Sequence, residues 1–259
     1  MPVMLGAEPF AHDGGDVGVL LCHGFTGSPQ SLRPWAQRLA DEGLTVRLPR
    51  LPGHGTSWRE LNLTRWEDWY AAVSRSLDDL LVSCRSVVVG GLSMGGTLAA
   101  RLAADRGEDV AGLVLVNPSL RADHHLLRAL PVVKHLVPSL AGIGGDIAKS
   151  GAVELAYDRN PLKALHSLAK AWDDTTRDLP RITQPLLLLH SRVDHVVSPR
   201  NSELLLSRVS SKDVTEVVLE NSFHVATLDH DADLIEKYTL EFVDRVTGRD
   251  LTDGAVTGL

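Results

Sequence analysis

Gly90-Gly91-Leu92-Ser93-Met94-Gly95-Gly96 follows directly on the run Ser86-Val87-Val88-Val89. Four glycines thus surround one serine at the end of a predicted strand. Glycine weakens strands and helices, so this clustering calls for a backbone that turns too sharply for a side chain. Such a turn would push Ser93 outward from the strand end. The residues from Ser93 to Ala104 (SMGGTLAARLAA) are good helix formers. Gly91-Leu92-Ser93-Met94-Gly95 therefore reads as G-x-S-x-G set between strand and helix, the context in which that motif presents a nucleophilic serine. A purely structural glycine turn is the competing reading, and the rest of the chain has to decide.

Working outward, short β-rich runs alternate with helical patterns. Strands are predicted at Val17 to Cys22, Leu44 to Leu48, Ser86 to Gly90, Val110 to Val116, Pro185 to His190 and Val214 to Leu219. Helices are predicted at Ser31 to Glu42, Arg65 to Val82, Ser93 to Ala104, Pro199 to Val209 and Ala232 to Val246, from apolar residues at helical spacing. This alternation implies an α/β fold with a mostly parallel sheet covered on both faces. It breaks once. From Pro118 to about Leu179 the pattern suggests helical pieces and no strand. Connections usually run to about 4–6 residues, so an insertion this long points to a functional lid. The expected organisation is a core of residues 1–117 and 180–247, a cap of residues 118–179, and a flexible tail over 248–259.

Composition narrows the partners. The chain has 259 residues, 44% hydrophobic and 23% charged, with a formal net charge of −7. That size supports one substantial core. The acidic balance argues against nucleic acid and against anionic membranes as main partners. The two cysteines, Cys22 and Cys84, read as buried free thiols. No apolar run is long enough for a membrane span, and the N-terminus lacks a basic leader pattern. A cytoplasmic protein is expected.

A serine nucleophile needs a base, and the base needs an orienting acid. The chain offers Asp194 just past the run PLLLLH, and His224 just past the strand ending at Leu219. Both fall in loops at the C-terminal ends of predicted parallel strands, where open α/β sheets place their sites. The order Ser93, Asp194, His224 is the order that the elbow motif carries. His190 and His195 neighbour Asp194 but leave no acid in the right loop. Asp229 and His230 read as cap and surface residues of the last helix, and His124, His125, His135 and His166 fall in the insertion. His23-Gly24-Phe25-Thr26-Gly27, after the first strand, could aim the amide of Phe25 at a substrate oxygen, with the amide of Met94 as second donor. His54, in Pro52-Gly53-His54-Gly55, reads as packing behind the site. No metal-ligand spacing appears among the 11 histidines, and no cofactor is expected.

HGFTGSP, RLPGHGTSW, GLSMGGTLA, VDHVVSP and NSFHVATLD, taken together and in this order, resemble the α/β-hydrolase superfamily. More narrowly, they are similar to the bacterial monoacylglycerol lipase and small carboxylesterase group. The resemblance runs from about Gly18 to Val246. It implies an eight-stranded sheet with a helical cap, the triad Ser93, Asp194 and His224, and oxyanion donors at Phe25 and Met94. Gly144-Gly145-Asp146-Ile147 and Val153-Glu154-Leu155-Ala156-Tyr157 resemble that group's cap, which maps a glutamate that bonds glycerol hydroxyls onto Glu154. A solvated helix residue is the alternative for Glu154. The implied activity is hydrolysis of a carboxylic ester, foremost a monoacylglycerol, without a cofactor. A broad short- or medium-chain carboxylesterase or thioesterase is the runner-up, and a lipid receptor on the same scaffold is a third possibility. The stripe Leu126, Leu127, Leu130, Val132, Val133, Leu136, Val137, Leu140 and Ile143 would bury an acyl chain at about 0.8 kcal/mol per CH₂, or form the cap's own core. The partner is then a small-molecule ester, with transient contact between cap and lipid surface and no stable insertion.

Overall fold

The computed structural model describes residues 1–121, 126–142 and 144–249, with the side chains of 126–128 left aside. The strands are β1 (Phe10–His12), β2 (Val17–Cys22), β3 (Thr45–Leu48), β4 (Ser86–Leu92), β5 (Gly112–Val116), β6 (Ser139–Ala141), β7 (Arg159–Pro161), β8 (Leu186–Ser191) and β9 (Val214–Leu219). The helices are α1 (Arg33–Asp41), α2 (Trp58–Leu61), α3 (Trp66–Ser83), α4 (Met94–Arg106), α5 (Leu126–Leu136), α6 (Leu162–Asp178), α7 (Arg200–Arg208) and α8 (Ala232–Thr247).

Seven strands form the main sheet, in the order β1-β3-β2-β4-β5-β8-β9. All neighbours pair parallel except β1 with β3. The expected count of eight is therefore corrected to seven. The edge beyond β3 holds only the three-residue β1, and the residues before it bond to a loop instead, through Met4 N to Gly55 O at 2.8 Å.

The central strands are buried on both faces, so they read as continuous apolar runs. Along β2, Val17, Val19 and Leu21 face one core and Leu20 and Cys22 the other. Trp35 and Leu39 of α1 and Phe242 and Val243 of α8 fill the first core. Trp69, Val73 and Leu77 of α3, Leu98 and Ala99 of α4 and Leu205 of α7 fill the second.

Between β5 and β8 lies the inserted stretch. Contrary to the strand-free expectation, it contains the antiparallel pair β6–β7, with Ser139 opposite Pro161. Three-residue strands carry too little alternation to show in the sequence. The long α6 packs back on α4, where Arg101 bridges Asp105 and Asp178 at 2.7 Å each. His124, His125 and Ile143 lie outside the described residues, as does the expected tail from 250 onward.

Candidate active site

Ser93 stands between β4 and α4 at φ 56° and ψ −118°, a conformation that L-residues rarely adopt. Its amide bonds the carbonyl of Val116 at 3.0 Å, and its carbonyl accepts from Ser119 N at 3.1 Å. The glycines make this turn possible by close approach. A Cβ on Gly91 would sit 2.3 Å from the Gly95 carbonyl group, and one on Gly95 would sit 1.8 Å from the Cys22 oxygen. Strand, elbow and helix cross with no room for a methyl group. Met94 opens α4, so its amide is among the orphan donors of a helix N-terminus.

His224 and Asp194 come together as the spacing predicted. His224 Nδ1 lies 2.7 Å from Asp194 Oδ2, with the two side chains 9% and 3% exposed. The other carboxylate oxygen of Asp194 accepts the amides of Val196 at 2.8 Å and Val197 at 2.7 Å. A carboxylate so bonded is fixed in orientation. With Nδ1 donating to it, the second ring nitrogen of His224 is left to accept a proton. Ser93, His224, Asp194, Gly24, Phe25 and Met94 all line one cavity of about 650 Å³.

Glu154 lines the same cavity, half-buried and not on a helix. Its Oε2 accepts the Gly145 amide at 3.0 Å. Burial pushes its carboxyl above the usual range, against the opposing pull of that amide and of His224. The loop after β2 holds this stretch in place. Ser28 Oγ donates to Leu155 O at 3.1 Å, Gln30 spans Val153 O at 3.0 Å and Leu155 N at 2.9 Å, and Tyr157 N donates to Thr26 O at 3.0 Å.

The apolar wall of the cavity comes mostly from outside the expected stripe, from Leu162, Leu165, Leu168 and Trp172 of α6, with Leu140 as the stripe's member. Of the stripe, Leu130 is buried, whereas Val132 and Leu136 are 67% and 78% exposed.

Several groups escaped the sequence reading. Asp229, expected at the surface, is 1% exposed. It accepts the amides of Ala148 (2.7 Å), Lys149 (2.8 Å), Phe223 (2.9 Å) and His230 (2.8 Å). Its burial alone would raise its pKa, but those amide bonds win and hold it below the usual range. Asn117, at φ 43°, ties the end of β5 to both neighbouring loops. Its Oδ1 accepts Ser191 N at 2.7 Å and its Nδ2 donates to His224 O at 2.8 Å. His23 is wholly buried. Its ring bonds Gly24 O at 3.0 Å and accepts Leu51 N at 3.2 Å, which pins the turn beside Phe25. Burial lowers its pKa to about 4, so it stays neutral near pH 7. His54 packs edge-on against His23 and Trp69, the packing role expected for it. His190 turns away to Glu216 at 2.8 Å. For Asn117, which precedes Pro118, the available signal was a short polar side chain beside a proline at a strand end, where it can bond backbone groups; Asp229 carries no such signal.

A mostly parallel sheet with helices on both faces and a serine elbow after a central strand defines the α/β-hydrolase fold. Residues 16–231 match the family model described as serine aminopeptidase, S33, and the chain belongs to this family. It is 41% identical to a thermostable monoacylglycerol lipase of Bacillus sp. (strain H-257) over 247 residues, covering 95% of this chain and 98% of that one. It is 26% identical to a carboxylesterase of Bacillus subtilis (strain 168), over 92% and 97% of the two chains. A solved structure from work on LipS and LipT, two metagenome-derived lipolytic enzymes, matches with a TM-score of 0.92 at 40% identity, covering 94% of this chain and all of that one.

Proposed function

We propose that this chain hydrolyses carboxylic esters through an acyl-enzyme on Ser93, with monoacylglycerol as its main substrate class. The protein is a carboxylic ester hydrolase of the monoacylglycerol lipase type, and the residue roles are our reading of its site. Ser93 Oγ attacks the ester carbonyl while His224 takes its proton. Asp194 orients the ring and stabilises the imidazolium. The amides of Phe25 and Met94 receive the developing oxyanion. The proton then passes from His224 to the departing glycerol oxygen. Water, deprotonated by the same ring, attacks the acyl carbonyl; the bond to Ser93 Oγ breaks, His224 returns the proton to that oxygen, and the fatty acid leaves.

One observation carries this reading: a single cavity joins Ser93 and His224 to a polar end at Glu154 and to an apolar wall on α6. An ester of glycerol with one fatty acid has that shape and polarity. Glu154 would bond the glycerol hydroxyls, and the α6 wall would take the acyl chain. Residues 118–179 serve as the cap over a core of residues 1–117 and 180–247. Transient contact with a lipid surface belongs to the same reading, because Leu140 both lines the cavity and is 42% exposed, beside exposed Val137 and Leu136. Among the described residues no helix is long and apolar enough to cross a membrane. The cytoplasm is the proposed setting, which suits two free, buried thiols.

The test is hydrolysis of monolauroylglycerol, dilauroylglycerol and p-nitrophenyl butyrate, with Ser93→Ala as blank. Fast turnover of the monoglyceride, little of the diglyceride and a loss of about 10⁴-fold or more in the blank are expected. A folded Ser93→Ala variant that keeps a tenth of the activity would remove Ser93 from the chemistry. Turnover of the nitrophenyl ester alone would leave a general carboxylesterase and demote Glu154 to a surface residue.

A further inference from the structure

We propose that Asp146 is a positioning residue: its carboxylate clamps the loops that carry the acid and the base. The inference rests on the roles just given to Ser93, Asp194 and His224. Asp146 Oδ2 accepts the amide of His224 at 3.2 Å and the amide of His195 at 3.1 Å. Its Oδ1 lies 2.8 Å from the His195 ring Nδ1. Its own carbonyl accepts Val225 N at 3.0 Å. His195 directly follows Asp194, and its ring meets Phe223, the residue before His224, edge-on at 4.7 Å. One side chain of the insertion therefore joins the neighbours of the acid to the neighbours of the base.

The topology explains why such a clamp is needed. His224 follows β9, the outermost strand of the sheet and a partly exposed one. Among the described residues no further strand supports that loop from outside. Asn117 holds the His224 carbonyl from the core side, and Asp146 holds its amide from the insertion side. Asp194 orients the ring. Asn117 and Asp146 bond the carbonyl and amide of His224 itself, and Asp229 holds the amide of Phe223 before it. Amides bonded to a carboxylate are stronger anchors than amides bonded to neutral acceptors. Asp229 backs the clamp by gripping the amides of Ala148 and Lys149, just past Asp146. Gly145, the residue before Asp146, donates to Glu154, so the head-group carboxylate and the clamp sit on one short run of chain.

The test compares Asp146→Ala and Asp146→Asn on p-nitrophenyl butyrate, a soluble ester with no glycerol. Misplacement of a reacting group by an ångström costs about 100-fold, so Asp146→Ala should lose roughly that in kcat. Its KM should stay within about threefold, since the Asp146 carboxylate is engaged by the loop amides and the His195 ring. Asp146→Asn keeps one oxygen for the amides and should recover about a tenth to a third of the wild-type kcat. In proton NMR, the low-field resonance of the His224–Asp194 hydrogen bond should broaden or move in Asp146→Ala and return in Asp146→Asn. Wild-type kcat in a folded Asp146→Ala overturns the proposal. So does a loss of activity that Asp146→Asn fails to rescue while the low-field resonance is unchanged. Parallel assays of Ser93→Ala and His224→Ala separate the two readings. Activity in these variants would sink the catalytic assignment itself, whereas their inactivity beside a fully active Asp146→Ala would sink only the clamp.

Discussion

The two sides of the active-site cavity are built by different means. On the core side, Ser93 is held by backbone against backbone, with Gly91, Gly95 and Cys22 so close that a methyl group has no place. On the insertion side, Glu154 and Asp146 are held by hydrogen bonds between side chains and amides. Close packing fails abruptly when an atom is added. Hydrogen bonds yield in steps, and each can be partly replaced. The serine elbow is thus rigid by sterics, whereas the insertion side of the cavity, where we propose that the head group is recognised, is adjustable.

A pair of glycine substitutions tests this contrast most severely. Gly95→Ala sets a methyl group 1.8 Å from the Cys22 oxygen, so it should cost about 3 kcal/mol or more and yield little soluble enzyme. Gly145→Ala, at φ 72° with open space around the new methyl, should cost only about 1–2 kcal/mol and leave a folded protein. Thermal melts of the two would break the comparison if they came out alike.

Acid provides a second test, read through two buried histidines of the core side. His23 and His54 are both pushed below the ordinary value of 6.5 by burial. The unfolded chain therefore binds protons that the folded one refuses. Their stabilisation is complete above about pH 6.5 and is lost as pH falls toward 4, by about 3 kcal/mol for His23. Urea midpoints measured from neutral to mildly acid pH should fall accordingly, and His23→Gln should flatten the curve. A midpoint independent of pH over that window would remove the histidine pair from the stability of the loop after β2.

The smallest effect sharpens the insertion side. Glu154→Gln should lower monolauroylglycerol turnover about tenfold, the worth of one bond to a charged group. Turnover of p-nitrophenyl butyrate should remain within about twofold. Equal loss on both substrates would deny Glu154 any part in recognising the head group.

The same contrast explains what could be read from the sequence. The elbow was legible because close backbone approach demands glycine, and glycine at fixed offsets is visible. Asp194 and His224 were legible because each follows an apolar strand in the order the elbow implies. The clamp at Asp146 and the anchor at Asp229 were not, because a carboxylate that caps amides leaves no periodic trace. Asp229 looked like a surface residue for that reason. Strands β6 and β7 were too short to alternate. The apolar stripe from Leu126 to Ile143 reads either as an acyl wall or as the cap's own core; the structure turns Val132 and Leu136 outward, and of the stripe it is Leu140 that lines the cavity, beside α6. An amphipathic stripe shows that a face meets something apolar and does not show what.

The bonds from Thr26, Ser28 and Gln30 to residues 153–157 have a consequence for protein engineering. The insertion is contiguous in sequence, which invites grafting it between relatives to transfer substrate preference. Glu154, the residue we propose for head-group recognition, however, hangs from the loop that follows the first parallel strand. A chimaera that imports residues 118–179 alone would inherit Glu154 without its scaffold. The transferable module is discontinuous and includes residues 26–30.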